Sequence, residues 1–481
     1  MKIYVCFKLL PEPDRVLPED FEAFTPDRDL SYAGLDVSTF DSPALELGLR
    51  LKDQLQAQGT DVSCTALTYG KPLPESFSLR LYSAGFDRVL WIPGENTEFQ
   101  PRKTAQVLAE AVKDGDVILT GREAGFGDSR MVPYFLAEIL GKPMYADAEA
   151  LFLSENQIVL HCRKPEGLYE RIPSGPFLAS VGNSPAVLRM STLRQQLKFR
   201  GKAPEEKISE IPAFEEKLPG FSVPQRDRSC VLLDPEREET YDLVKKLFSY
   251  GIKTEHREKN VKELPQSVHA AVEKERLHLY PDREGGRILA VRKALHENLP
   301  CFFGGEILEV SEDRVTLQKE AYGGNLLLKK TLPLPCVLTG DYSGNEEKRE
   351  ERLLEPASRE KLEEAASVVI CGNGMGSKEA CEAARILARK LHAGFGLTRP
   401  GAMNGWGSTE EMVGQSGKIL KPRICLVLGA AGAGAFMTGI QKADRIIAVN
   451  RDPQALILRR ADYGILTDGE AFVKRLLREV E

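Results

Sequence analysis

Residues 424–441 read ICLVLGAAGAGAFMTGIQ, the longest uncharged stretch of the chain. It approaches the length of a membrane span, but glycines at 429, 432, 434 and 439 interrupt it. The better reading is a buried strand, ICLVL, that ends in a glycine turn and opens a helix. The same strand-then-turn unit recurs on both sides: SVVIC-GNGMGS from 367 before it, RIIAVN-RDPQ from 445 and DYGILTD-GE from 462 after it. Each strand ends at or next to Gly, Asn or Asp. This is the pattern of a doubly wound parallel sheet whose ligand lies along the carboxyl edge. There glycines admit close backbone approach and helix N-termini face an anion.

Several residues fall on that edge. Gly429, Gly432, Ala433 and Gly434 follow a strand and open a helix, which suits a pyrophosphate cradle; a tight turn with close helix packing explains them equally. Val413-Gly414-Gln415-Ser416-Gly417 brackets polar side chains with glycines, and its plain alternative is a solvated turn. Thr398-Arg399-Pro400 closes an apolar run and leaves one cation near the edge, although an isolated arginine is more often a surface group.

Working outward, the charged run NEEKREERLLEPASR at 345–359 sets off a last domain at 346–481. A Pro- and charge-rich stretch at 206–228 reads as a linker. It separates an N-terminal α/β domain, 1–205, from a middle segment, 229–345, that is short against the roughly 150 residues of a typical domain. A fixed offset of 157 residues aligns the two: Pro143 with Pro300, Ser154-Glu155-Asn156 with Ser311-Glu312-Asp313, Gly167 with Gly324, Pro176 with Pro333. The first copy carries a long glycine-bearing loop after the strand DVILTG, and the second only PDREGGR. The expected architecture is therefore three α/β domains, two of them related, with ligand binding in the first copy and scaffold in the second.

Composition narrows the class. The 481 residues carry 65 Lys and Arg against 71 Asp and Glu, a net charge of -6, so no field attracts nucleic acid or an anionic membrane. Nine scattered cysteines without a C-x-x-C pair suggest reduced thiols and a cytoplasmic setting, and six dispersed histidines suggest no metal. The N-terminus, MKIYVCFKLL, runs into a strand and lacks the pattern of a signal peptide.

The run from Thr398 to Asp468, with T-R, V-G-Q-S-G-K, a glycine turn, A-V-N-R-D-P and A-D-Y-G in that order, resembles the FAD domain of the electron-transfer flavoprotein alpha subunit. Tyr322-Gly323-Gly324-Asn325 resembles an element of that subunit's first domain. Phe7-Lys8, Ala44-Leu45-Glu46 and Thr120-Gly121-Arg122 resemble the beta subunit. The chain is thus similar to fused beta and alpha subunits, beta-like first. The fold implied is two Rossmann-like domains of the adenine-nucleotide-hydrolase type followed by a doubly wound FAD-binding domain.

The resemblance implies an FAD electron carrier more than an enzyme with its own substrate. Thr398, Arg399, Val413, Gly414, Gln415, Ser416 and Gly417 would line the flavin ring or phosphates, with Arg399 favouring the reduced, negatively charged flavin and Ser416 facing its N5. Gly429, Gly432 and Ala433 would approach the cofactor, and Asn450 and Asp468 would hold its adenosine end. Asn373 stands where the family carries Arg, and Ala431 and Phe436 where it carries Ser and His; these departures favour a degenerate, flavin-free nucleotide-binding scaffold. In the N-terminal domain Cys6, Thr68, Ala124, Gly127, Asp128, Ser129, Arg130 and Val132 would hold AMP or, in an electron-bifurcating component, a second FAD. Phe126 and Met131 depart from that loop's pattern, and Arg130 adds a charge for a phosphate. Leu193, between polar residues, would anchor a partner flavin dehydrogenase, for example of the acyl-CoA type; packing on its own domain is the alternative. An acceptor such as a quinone oxidoreductase would take the electrons.

Overall fold

The computed structural model describes the chain apart from residues 13–14, 17–19, 22–23, 26–27, 95–98, 124–129, 210–218, 224–227, 254–265, 322–325, 348, 357–361 and 481. The described residues form two compact bodies. One takes in 1–223, 264–321 and 326–356, and the other 228–253 and 362–480.

The first body is built on β1 (Lys2–Cys6), β2 (Ser63–Gly70), β3 (Arg88–Pro93), β4 (Val117–Gly121), β5 (Met144–Ser154), β6 (Gln157–Lys164), β7 (Gly167–Arg171) and β8 (Phe177–Val181). The order β3-β2-β1-β4-β8-β5 is parallel, and β5, β6 and β7 continue it as an antiparallel meander. Helices α1 (Asp41–Ala57), α2 (Pro101–Val112) and α3 (Met131–Leu140), together with the helix Glu75–Ala84 between β2 and β3, supply the crossovers, and a short α4 (Leu193–Phe199) follows. β1 and β4 are buried almost throughout, as a parallel sheet covered on both faces requires.

The internal repeat is visible as structure. α5 (Glu284–His296) lies among β9 (Leu277–Pro281), β10 (Cys301–Phe303), β11 (Glu306–Val310), β12 (Arg314–Ala321), β13 (Leu326–Pro333) and β14 (Cys336–Gly340). β9-β14-β10 is parallel in the order of β4-β8-β5, and β12 and β13 pair antiparallel as β6 and β7 do. β10 and β12 begin 157 residues after β5 and β6. Among the described residues the second copy therefore matches the half-sheet from β4 onward, and it shares a core with the first: Tyr134 and Phe135 of α3 cluster with Ile288 and Val291 of α5. The Tyr134 and Phe303 rings meet edge to face at 5.6 Å. Arg171, 1% exposed, ties the copies together by hydrogen bonds to Glu284 at 2.6 and 2.7 Å and to Glu351 at 2.6 Å.

Where the sequence suggested a middle domain at 229–345, the structure distributes those residues differently. Val231–Leu233 pairs in parallel with the edge of the last sheet, and Tyr241 of the following helix stacks on Phe472 at 5.2 Å. At the other boundary, β15 (Arg352–Pro356) pairs antiparallel with β7 and stays with the first body. Within the expected linker, Gly220–Ser222 forms an edge strand on β13.

The second body is a parallel sheet of β16 (Ser367–Cys371), β17 (Gly394–Leu397), β18 (Ile424–Leu428), β19 (Arg445–Asn450) and β20 (Tyr463–Leu466), in the order β20-β19-β18-β16-β17. α6 (Lys378–Lys390), α7 (Arg399–Met403), α8 (Gly434–Met437) and α9 (Gly469–Glu479) follow strand ends. The uncharged stretch at 424–441 is strand, glycine turn and short helix, and no described helix is long and apolar enough to cross a membrane.

Candidate functional site

The strand order of the second body reverses at β16, whose neighbours are β17 on one side and β18 on the other, and the carboxyl ends of β16 and β18 flank the crevice where open α/β sheets take ligands. Two glycine turns meet there. Gly374 N donates to Gly429 O at 2.8 Å and Gly372 N to Leu428 O at 2.8 Å, an approach that side chains on either turn would block. Gly432 has φ +85, and a Cβ on it would stand 2.3 Å from the Ile457 nitrogen, so only glycine fits.

The sequence-derived residues of the last domain gather along this edge. Thr398 follows β17 and leads α7; its amide donates to Cys371 O at 2.9 Å, while its side-chain oxygen is buried with no partner. A buried hydroxyl left unmatched is costly, so this one marks a position where a ligand atom would be welcome. Arg399, half-buried, opens α7. The 413–417 loop is fastened at its start and its middle: Val413 N donates to Leu397 O at 2.8 Å, and Gln415 N to Ala435 O at 2.7 Å. Gly414 (φ +134) lies against the α8 backbone, where a Cβ would come within 2.9 Å of Ala435 O. The Val413 side chain is in the core, so only its backbone reaches the edge. Ala433 precedes α8. Asn450 braces the glycine turn, donating to Ala430 O at 2.9 Å, and Asp468 caps α9 by accepting from Glu470 N and Ala471 N at 3.0 Å. Of the departures, Phe436 points into the core, Ala431 is exposed, and Asn373 accepts from Asn404 at 3.1 Å.

The edge of the first body is finished with charged side chains. Asp41, at the start of α1, accepts from Gly121 N at 2.7 Å and Lys8 N at 2.9 Å, pinning the ends of β1 and β4 together. Sequence reading missed it; the signal was an acidic residue two positions before Pro43 at a helix start. Cys6 is buried at the end of β1, its thiol pushed up to about 12 by burial and then by Asp41. Thr68 is buried in β2, and Val132 is half-buried in α3. Arg130, with φ +60, donates to Glu123 at 3.0 Å, and Arg122 reaches Asp147 at 3.3 Å and lies 4.5 Å above the Phe40 ring. Burial alone would raise the Glu123 carboxyl, but Arg130 and Arg122 hold it below its usual value. The charge expected to meet a phosphate thus has a protein carboxylate beside it. Ala124, Gly127, Asp128, Ser129 and Phe126 lie outside the described residues, as does 322–325. The Tyr69 hydroxyl and Thr120 Oγ1, near the ends of β2 and β4, are buried without a hydrogen-bond partner.

Leu193 starts α4, whose residues are all at least partly exposed; Leu193 is 71% exposed and the neighbouring Met190 96%. The helix itself is fastened to its domain through Phe199, whose ring stacks on Tyr82 at 6.0 Å. Among the described residues no group of His, Cys, Asp or Glu is arranged to hold a metal.

Comparison with known proteins agrees with this layout. Residues 361–441 match the model of the electron transfer flavoprotein FAD-binding domain, and residues 31–207 that of the electron transfer flavoprotein domain. The chain is 30% identical over 223 residues to the lactate dehydrogenase (NAD(+),ferredoxin) subunit LctC of Acetobacterium woodii, covering 41% of this chain and 53% of that protein. It is 40% identical over 119 residues to protein FixB of Clostridium saccharobutylicum (25% and 34%). It is 36% identical over 112 residues to the electron transfer flavoprotein subunit alpha of Paracoccus denitrificans (23% and 36%). The chain spans about half the length of these relatives or less.

Proposed function

We propose that this chain is an electron-transfer flavoprotein in which a beta-like segment precedes an alpha-like one, with FAD on the carboxyl edge of the second body. The observation that carries this reading is the coincidence of the FAD-binding match at 361–441 with the glycine-turn crevice between β16 and β18 and the unmatched buried hydroxyl of Thr398. When bound, the flavin supplies reversible electron transfer. The residues of the chain do the rest. The glycine turns would admit the pyrophosphate, Thr398 and Ser416 would offer hydrogen bonds to the ring, and Arg399 would supply positive charge that favours its reduced form. Asn450 and Asp468 stand at the β19 and α9 ends of the edge for the adenosine. Visible absorption of the purified protein, before and after incubation with FAD, with mass identification of what is released, tests this: one FAD per chain is expected, and no flavin even after incubation favours the flavin-free scaffold.

Two finer readings go with it. The buried Tyr69 and Thr120 hydroxyls support a nucleotide in the first body, AMP or a second FAD; the likeness to a subunit of an NAD(+),ferredoxin lactate dehydrogenase favours the second FAD and a bifurcating role. Two flavins per chain would select it. Leu193 and Met190 offer an apolar anchor for a flavin dehydrogenase such as the acyl-CoA type, with a quinone oxidoreductase or soluble protein as acceptor.

A further inference from the structure

Arg385, on α6, is not part of any edge turn, yet three elements converge on it. Its two terminal nitrogens grip both oxygens of Glu411, one of them at 3.1 Å, and its guanidinium lies 4.1 Å above the ring of Phe395 in β17. Glu411 also accepts from Ser408 N at 3.0 Å, closing a one-turn 3-10 helix at 409–411. Directly after that turn, Met412 is fully buried and Val413 hydrogen-bonds to the end of β17 before the 414–417 loop begins. Space has been left for the pair: a Cβ on Gly407 would stand 2.4 Å from Glu411 Oε2 and 3.1 Å from the Arg385 guanidinium. The two segments meant for the flavin ring, Thr398–Arg399 after β17 and Gly414–Gly417 after the 409–411 turn, are therefore rooted in one guanidinium.

We infer that Arg385 is a positioning residue for the flavin site, holding the 414–417 loop in register with Thr398 and Arg399 through Glu411 and Phe395. The inference rests on the flavin reading above. A lysine cannot replace the two-pronged fork or its stacking on Phe395.

The test is FAD affinity, the position of the flavin visible bands and the melting temperature of the FAD-free protein, for the full chain. Losing the charge-assisted pair at the root of the loop predicts a dissociation constant raised roughly tenfold or more in Arg385→Ala. The flavin bands should shift because the surroundings of the ring change. Arg385→Lys should behave like Arg385→Ala, and Gly407→Ala, which intrudes on the pair, should show the same shift more weakly. Glu382→Ala removes the other carboxylate on Arg385, 3.1 Å from its Nε, with a surface pair to Arg389, and should leave affinity and spectrum unchanged. Should Arg385→Ala not fold, the reversed pair Arg385→Glu with Glu411→Arg serves, and partial recovery over Arg385→Glu alone is expected. Wild-type affinity and spectrum in Arg385→Ala, or an equal loss in Glu382→Ala, overturns the inference while leaving the flavin reading intact. A wild-type chain that takes up no FAD takes both down.

Discussion

The two bodies end their parallel sheets in opposite ways. In the second, the carboxyl edge is closed by backbone approach: glycine turns touch at 2.8 Å, and Asn450 and Asp468 bind neighbouring backbone rather than opposite charges. In the first, Asp41 ties the strand ends, and Arg122, Glu123, Arg130 and Asp147 gather in one cluster of opposite charges. The same α/β architecture thus yields an edge shaped to admit a ligand's phosphates by close approach and an edge whose charges already have protein counter-ions. Both edges keep buried hydroxyls without a protein partner, Thr398 at the second and Tyr69 and Thr120 at the first. A phosphate at the first must compete with Glu123 for Arg130.

Ionic finishing continues in the repeat, and it sets the largest expected effect. Arg171→Ala should destabilise the first body by about 3 kcal/mol in urea unfolding, because Glu284 and Glu351 would lose their buried cation and be left close together with only the more exposed Lys164 between them. Survival of full stability would mean that the copies are held by apolar packing alone. On the second edge, Gly432→Ala should cost about 1–3 kcal/mol from the backbone conformation alone, and more from the contact with Ile457, and abolish FAD uptake. The comparison sharpens with pH. Burial would raise the Asp282 carboxyl, but Arg287, at 2.9 Å, and Thr339 hold it well below the usual range. A carboxyl lowered in the fold stabilises above the unfolded value of about 4 and loses that contribution as pH falls toward the folded one. Asp282→Asn should therefore cost about 1–3 kcal/mol at pH 7, and the gap to wild type should close below pH 4; a constant gap would show that its charge is immaterial. Thr398→Val should leave the FAD-free protein within about 0.5 kcal/mol of wild type while weakening FAD several-fold to tenfold by titration. A hydroxyl that matters to neither measurement would show that the unmatched Thr398 marks no ligand position. Smallest is Leu193→Ala, expected to change stability by less than about 0.5 kcal/mol while reducing capture of a partner flavin dehydrogenase.

Local pattern made much of this legible. The continuous apolar runs SVVIC and ICLVL are buried parallel strands, the turns after them carry the glycines, and the 157-residue offset returns as strands of like order and pairing. Other features left no local trace. The short strand at 231–233 reads as the start of a middle domain by position, but its partner, β20, lies some 230 residues on. Phe436 and Val413 look like edge residues in sequence, yet their side chains complete the core, because a turn that buries its flanks turns every apolar neighbour inward.

Local pattern alone carries the buried strands of the last sheet, the repeat and the glycines of the turns, since period and turn chemistry act over a few residues. Long-range packing sets the strand order of that sheet, which segments share a body, that Arg130 faces Glu123, and that Arg385 grips Glu411. An ion pair is chosen by what burial brings within 3 Å, and burial joins residues that no spacing in the chain connects.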